Sequence, residues 1–189
     1  MPNDPRHSDT GGFVGRGGMK LQAALDAFRI DVQGKAAADL GSHIGGFVDC
    51  LLQNGAATVY SVDTSYGTLA WTLRQDPRVV VLERQNAMHV RLPEPVDVVT
   101  IDVGWTPQRQ ILPNALKLIR EGGRIVSLVK PQYEAREDEL EKGVVKPEHV
   151  ERVLSRTLEE LEQSGIRTAG RITSPLKGDG GNTEFFVLV

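Results

Sequence analysis

Apolar residues recur along this chain at two spacings, and the two alternate. Compact apolar runs at residues 36–40, 58–62, 79–82, 96–101 and 124–129 read as strands. Around them the spacing stretches to that of a helix face. Over residues 20–30, Leu21, Ala24, Leu25 and Phe28 stand at i, i+3, i+4 and i+7. Residues 46–53 open a second helix straight after a glycine turn, and 66–74 form a third with Leu69, Ala70 and Leu73 on one side. A fourth is predicted over 107–120, with Thr106 as N-cap and Pro107 in the first turn. Its apolar face is Ile111, Leu112, Ala115, Leu116 and Ile119, and Gly122-Gly123 marks its stop. The last helix, 148–164, presents Val150, Val153, Leu154, Leu158 and Leu161. Strands at 166–172 and 184–189 close the chain, joined by a loop with Gly178, Gly180 and Gly181.

Strands alternating with helices pack as a parallel sheet covered on both faces, and two late strands joined by a loop add an antiparallel edge or insertion. Ligands of such sheets bind beyond the carboxyl ends of the strands, where strand order reverses. One polar segment breaks the rhythm. Residues 133–147 mix Arg136, Lys142 and Lys146 with Glu134, Glu137, Asp138, Glu139 and Glu141, and read as a solvated lid. Residues 1–14 read as a flexible arm without the apolar core of a secretory signal. Residues 15–189 read as one domain.

Composition narrows the class. A chain of 189 residues, 40% hydrophobic and 25% charged, suits a single globular domain with its own core. No stretch approaches the roughly 18 apolar residues a membrane span needs, so no membrane partner is expected. The one cysteine, Cys50, excludes an intramolecular disulfide and implies a reducing, cytoplasmic setting. Lying in the apolar stretch 47–52, it reads as a small buried hydrophobe. A net charge of −3 argues against a basic coat while leaving room for a local basic patch.

The glycine turn carries the first chemistry. DLGSHIGGF follows the first strand and opens a helix, with Gly41 separated from Gly45-Gly46 by three residues. Neither the dinucleotide fingerprint nor the phosphate loop has this spacing, which leaves an adenosine-type ligand without a phosphate chain. Candidate contacts are Asp39, Gly41, Ser42, Gly45, Gly46 and Phe47. Asp63, ending the second strand, stands where an acid commonly meets ribose hydroxyls. Asn86, after the third strand, is placed for an adenine edge. Asp39 could face the cationic end of the ligand. Either acid alone reads as a turn cap; the glycine turn between them favours a nucleoside ligand.

Four charged residues form the second constellation. Asp102 ends the fourth strand and Lys130 the fifth, Glu184 starts the last, and Lys20 starts the first helix. All four fall at element ends that an α/β sheet brings to one rim. Desolvation would lower the pKa of Lys130 toward that of a usable base, and a neighbouring Asp102 would oppose it. Arg16, flanked by Gly15, Gly17 and Gly18, forms a flexible basic approach suited to a phosphate. Tyr133, Trp105 and Arg109 could clamp an extruded nucleotide, although Trp105 reads equally well as core edge.

The segments GRGGMKL, DLGSHIGGF, VYSVDTSYGTLAW, VDVVTIDV, VKPQYEA and GNTEFFVLV resemble the FtsJ-like methyltransferases, and among them the haemolysin A (TlyA) group of ribosomal RNA ribose methyltransferases. The resemblance runs from Gly15 to Val189. It implies a Rossmann-like class I methyltransferase with a seven-stranded, mostly parallel sheet, an antiparallel edge strand and helices on both faces. The implied cofactor is S-adenosyl-L-methionine, with no metal, and the implied tetrad is Lys20, Asp102, Lys130 and Glu184. Lys130 would deprotonate or steer a ribose 2'-hydroxyl and Asp102 would position it, while Lys20 and Glu184 would hold the nucleotide. The implied partner is ribosomal RNA or ribosomal subunits. Relatives normally carry a small RNA-binding domain before the RGG segment; with only about fourteen residues there, either a protein partner supplies RNA affinity or the substrate differs. The turn after Asp102, Gly104-Trp105-Thr106-Pro107, departs from the group's serine-phenylalanine pattern. Two alternatives remain: a non-catalytic S-adenosylmethionine-binding regulator, or a methyltransferase of a small hydroxylated metabolite.

Overall fold

A computed structural model describes residues 10–189. In chain order the helices are α1 (Gly17–Phe28), α2 (Gly46–Gln53), α3 (Trp71–Arg74), α4 (Gln108–Leu118) and α5 (Val150–Gln163). The strands are β1 (Ala36–Leu40), β2 (Thr58–Asp63), β3 (Val79–Glu83), β4 (Val96–Ile101), β5 (Ile119–Val129), β6 (Leu140–Glu141), β7 (Val144–Val145), β8 (Gly170–Thr173) and β9 (Phe185–Leu188). Seven strands form one sheet in the order β3-β2-β1-β4-β5-β9-β8. The first five pair in parallel, and β9 runs antiparallel to both β5 and the edge strand β8. Chain order reverses beside β1, which has β2 on one flank and β4 on the other. A crevice opens beyond the carboxyl ends there.

Period-two alternation sorts the strand residues into two cores. Ala37, Val59, Val98, Val126, Leu128 and Phe186 face α1 and α2, meeting Leu21, Leu25, Val48 and Leu51. Their neighbours Ala38, Tyr60, Val99 and Ile125 face the other way, against Ile111, Leu112, Ala115 and Leu118 of α4 and Leu161 of α5. Cys50 is fully buried in the first core. Burial, with Asp49 nearby, pushes its thiol up to about 12, so it packs as an apolar side chain.

Several element ends differ from the sequence expectations, each for a local reason. The first helix starts at Gly17, so the glycines before Lys20 are packing positions rather than a flexible approach. A β-carbon on Gly46 would lie 3.0 Å from Gly18 N and 3.2 Å from Gly17 Cα, so α1 and α2 touch backbone to backbone. Phe13 and Val14 pack against the first core, and Val14 N donates to Asp49 Oδ2 at 2.8 Å. The arm expected over 1–14 otherwise lies mostly on residues 1–9, outside the described residues. Of the helix expected over 66–74 only Trp71–Arg74 is helical. Thr106 does not cap α4: its hydroxyl bonds Gly104 O at 3.1 Å, and Gln108 N instead donates to Glu134 Oε1 at 2.7 Å. α4 passes directly into β5 at Ile119, ahead of the expected glycine stop.

The segment expected to be a solvated lid is docked. It folds into short 3₁₀ turns and the β6–β7 hairpin. Glu139, only 2% exposed, accepts from Arg156 at 2.7 and 2.8 Å and from Arg152 at 3.3 Å. Its oxygens are covered by arginines rather than sunk in the core, and those donors hold its carboxyl well below the ordinary range. Asn182 ties the far side of the hairpin, accepting from Val145 N at 2.9 Å and donating to Gly143 O at 3.1 Å. Among the described residues, no helix is long and apolar enough to cross a membrane.

Candidate active site

The cleft is built where β1 turns into α2. Gly41 adopts φ +94°, and a β-carbon there would fall 2.4 Å from Asp102 O, so only glycine lets β1 and β4 close up at this point. Gly41 N and Ser42 N both donate to Val62 O, and Ser42 Oγ to Asp39 O at 3.1 Å. His43, at φ +48°, donates its N–H to Asp63 Oδ2 at 2.7 Å. The other Asp63 oxygen receives Ser65 N at 2.7 Å and Ser65 Oγ at 2.6 Å. Burial works against the Asp63 charge, yet these donors outweigh it and hold the carboxyl below its ordinary value. Asp63 is thus both a turn cap and part of the cleft wall.

Asp39 is different. It is fully buried, its Oδ1 accepts from Thr100 Oγ1 at 2.7 Å, and its Oδ2 has no partner. Burial is the main reason its carboxyl is pushed up to about 7, with Asp102 and Asp63 adding like charge.

Two cavities meet at Gly41, His43 and Asp102. One, of about 230 Å³, is lined by Gly15, Arg16, Lys20, Asp39, Ser42, Gly46, Phe47 and Lys177 among others. The second, of about 310 Å³, is lined by Asp63, Thr64, Gln85, Asn86, Met88, Val103 and Trp105 among others. Every proposed ligand contact except Gly45 therefore lines the paired cleft. Gly45, at φ +101°, faces away: a β-carbon there would meet Leu73 Cδ1 at 2.3 Å, so its role is to seat α3.

At the mouth the four charged residues form two ion pairs. Lys130 Nζ lies 2.5 Å from Asp102 Oδ1, and Lys20 Nζ donates to Glu184 Oε2 at 2.6 Å. The first contact compensates the charge on Asp102, whose Oδ1 is buried. Burial disfavours the Lys130 ammonium, but Asp102, with Glu184 and Tyr133 behind it, overrides that and raises its pKa. At rest Lys130 is a cation, which answers the question desolvation left open. Glu184 keeps only 3% of its side-chain surface, and Gly178 hugs it: a β-carbon on Gly178 would sit 2.1 Å from Glu184 Oε1.

Arg16 is exposed at the rim of the first cavity. Tyr133 packs its ring 5.9 Å from that of Trp105, tilted 40°. Trp105 is 84% exposed and so is not core edge. Arg109 lines a separate groove behind Tyr133 with Glu134 and Arg136. Sequence reasoning missed Thr100 and Lys177. Thr100 sits in an apolar strand whose alternation reads as plain core, whereas a lysine in a glycine loop beside Glu184 was a usable signal for Lys177. With Lys20 and Lys130 paired, Arg16 and Lys177, which line the first cavity, have no ion-pair partner among the described residues.

The family model of the FtsJ-like methyltransferases matches residues 13–189. YqxC of Bacillus subtilis (strain 168) is 44% identical over 184 residues, which is 93% of this chain and 64% of YqxC. The 16S/23S rRNA (cytidine-2'-O)-methyltransferase TlyA of Mycobacterium tuberculosis is 40% identical over 181 residues, 93% of this chain and 67% of TlyA. A solved structure from Streptococcus thermophilus superposes with a TM-score of 0.89 at 36% identity, covering 94% of this chain and 66% of its own. The chain thus spans about two thirds of the length of the relatives it matches.

Proposed function

Since the chain belongs to the FtsJ-like methyltransferase family, we propose that it is an S-adenosylmethionine-dependent RNA methyltransferase acting on a ribose 2'-hydroxyl. The observation that carries this is the meeting of the Lys130–Asp102 and Lys20–Glu184 pairs at the mouth of a glycine-walled double cleft.

The residues present fit the cofactor. Asp39 lines the first cavity, and its Oδ2 is buried without a partner, a group that a cationic amino-acid end would satisfy. Asp39, Gly41, Ser42, Gly46 and Phe47 would hold that end, while Asp63 and Asn86 would hold the nucleoside in the second cavity. When bound, S-adenosylmethionine supplies an electrophilic methyl group.

The protein's own part is placement and charge. Asp102 keeps Lys130 Nζ at 2.5 Å and cationic, so Lys130 would not be the base but would steer the substrate hydroxyl, whose proton would pass to solvent as its oxygen takes the methyl group. Lys20 is held by Glu184 beside that point, and the pair limits the freedom of the bound nucleotide. Arg16 and Lys177 would take flanking phosphates, and Tyr133 would face the target nucleotide. By likeness to TlyA, ribosomal RNA or a ribosomal subunit is the substrate, and RNA affinity supplied by a protein partner is compatible with that.

The test is transfer of radiolabelled methyl to ribosomal RNA and to intact subunits. Label appearing in RNA with the wild type, and lost in Lys130→Ala with cofactor affinity kept, is expected. Tight cofactor binding without any RNA label would sink the reading.

A further inference from the structure

Tyr66 and Arg84 lie outside the cleft, and the residues around them hold them in place. Tyr66 is 70% exposed, and the Arg84 guanidinium sits 4.4 Å over its ring centroid. A single exposed aromatic is ordinary; a cation stacked on one and held from both sides is not. Ser65, fixed by two bonds to Asp63 Oδ1, shares a 2.5 Å hydroxyl contact with Thr68. Gly67 N donates to Glu83 Oε1 at 2.7 Å, and Arg84, at φ +56°, donates its N–H to Ser65 O at 3.2 Å. Glu83, its neighbour in the chain, is engaged by Arg74 and Gly67, and Arg84 has no ion pair among the described residues.

We propose that Tyr66 and Arg84 form a second platform, on which an unpaired nucleotide flanking the target stacks. A planar ring with a guanidinium over it offers two π-faces and a positive charge, the combination that binds bases without reading sequence. A protein partner would more naturally meet an apolar patch, and this one carries a cation without an ion pair among the described residues. The platform follows β2 and β3, so it stands on the same rim as the cleft. From β3 to β5, which positions Lys130, there are four strand steps, on the order of 20 Å. That is too far for the reacting ribose and suits a neighbour along the strand. The proposal rests on the RNA reading above.

The experiment compares wild type, Tyr66→Ala, Tyr66→Phe and Arg84→Ala. Fluorescence anisotropy follows binding of a labelled single-stranded oligoadenylate, and methyl transfer follows ribosomal RNA. Tyr66→Ala and Arg84→Ala should bind oligoadenylate between about 5-fold and 100-fold more weakly, and their KM for RNA should rise with kcat retained. Tyr66→Phe should behave as wild type. Only Arg84→Ala should flatten the salt dependence of binding. Cofactor affinity and Tm should hold in all three. If Tyr66→Ala and Arg84→Ala match a wild type that methylates RNA, the platform is overturned and the site falls to a protein contact, with the methylation reading intact. A wild type that labels no RNA removes that reading itself, and the platform with it.

Discussion

Gly178 lies directly against Glu184. A β-carbon at position 178 would fall 2.1 Å from Glu184 Oε1, and Glu184 is the carboxylate that holds Lys20. Gly178 has φ −69°, which any residue adopts, so alanine there is a steric probe free of backbone strain. Gly178→Ala should push Glu184 off Lys20 and lower methyl transfer by about 10-fold or more, a cost of roughly 1.4 kcal/mol in the barrier. Cofactor affinity, measured by calorimetry, should hold; unchanged turnover would detach Glu184 from the reaction.

Lys130 and Asp102 should separate stability from activity. Removing the cation in Lys130→Met leaves a poorly solvated carboxylate unpaired and should cost about 1–3 kcal/mol. Adding Asp102→Asn should recover much of that stability while transfer stays absent. Because the Lys130 pKa is raised, the pair's contribution is complete at neutral pH. It fades only as pH climbs past the ordinary lysine value of 10.5. Urea unfolding of both variants against pH checks each point.

Asp39 should give the apo protein a falling stability between about pH 4 and pH 7. Its carboxyl rises from 3.8 to about 7 on folding, so the folded state binds the extra proton in that window and stability declines as pH rises through it. The upper bound is about 4 kcal/mol. Asp39→Asn should flatten this part of the profile. A cationic ligand favours the ionised form, so cofactor binding near pH 7 should release up to about half a proton per site. Calorimetry in buffers of different ionisation enthalpy reads that release, and an identical heat in every buffer would remove the assignment.

Glu139 should act in the opposite sense. Arg156, Arg136 N and Arg152 hold its carboxyl low, so its contribution is present above the ordinary 4.5 and is lost as pH falls below it. Glu139→Gln should loosen residues 133–147 and expose them to protease while cofactor affinity stays unchanged. Equal cleavage rates in mutant and wild type would refute the docking role.

Asp63→Ala should weaken cofactor binding by about 10-fold or more and should also free His43 N and Ser65, since both donate to that carboxylate. Asp63→Asn should fall between. Affinity equal to wild type would leave Asp63 as a turn cap alone.

Much of this was legible in the chain because periodicity and strand ends are local properties. Alternation along residues 96–101 sets Val98 and Val99 on opposite faces, and an ionisable residue ending an apolar strand belongs at the carboxyl rim whatever the neighbours do. The same reasoning could not see the Glu134 cap on α4, 26 residues from its partner, or the arginines that draw Glu139 inward. Those depend on which segments become neighbours.

By itself, then, the sequence determined the α/β order, the glycine turn and the four charged rim positions, since each follows from dihedral preference and from side chains alternating along a strand. Only the tertiary structure decided how the charges pair, that Lys130 rests as a cation, that burial lifts the Asp39 carboxyl far above its ordinary value, and that the acidic segment is docked. Pairing and proton affinity depend on distance and solvent exclusion, and residues as far apart as 20 and 184 acquire those only when the chain has folded.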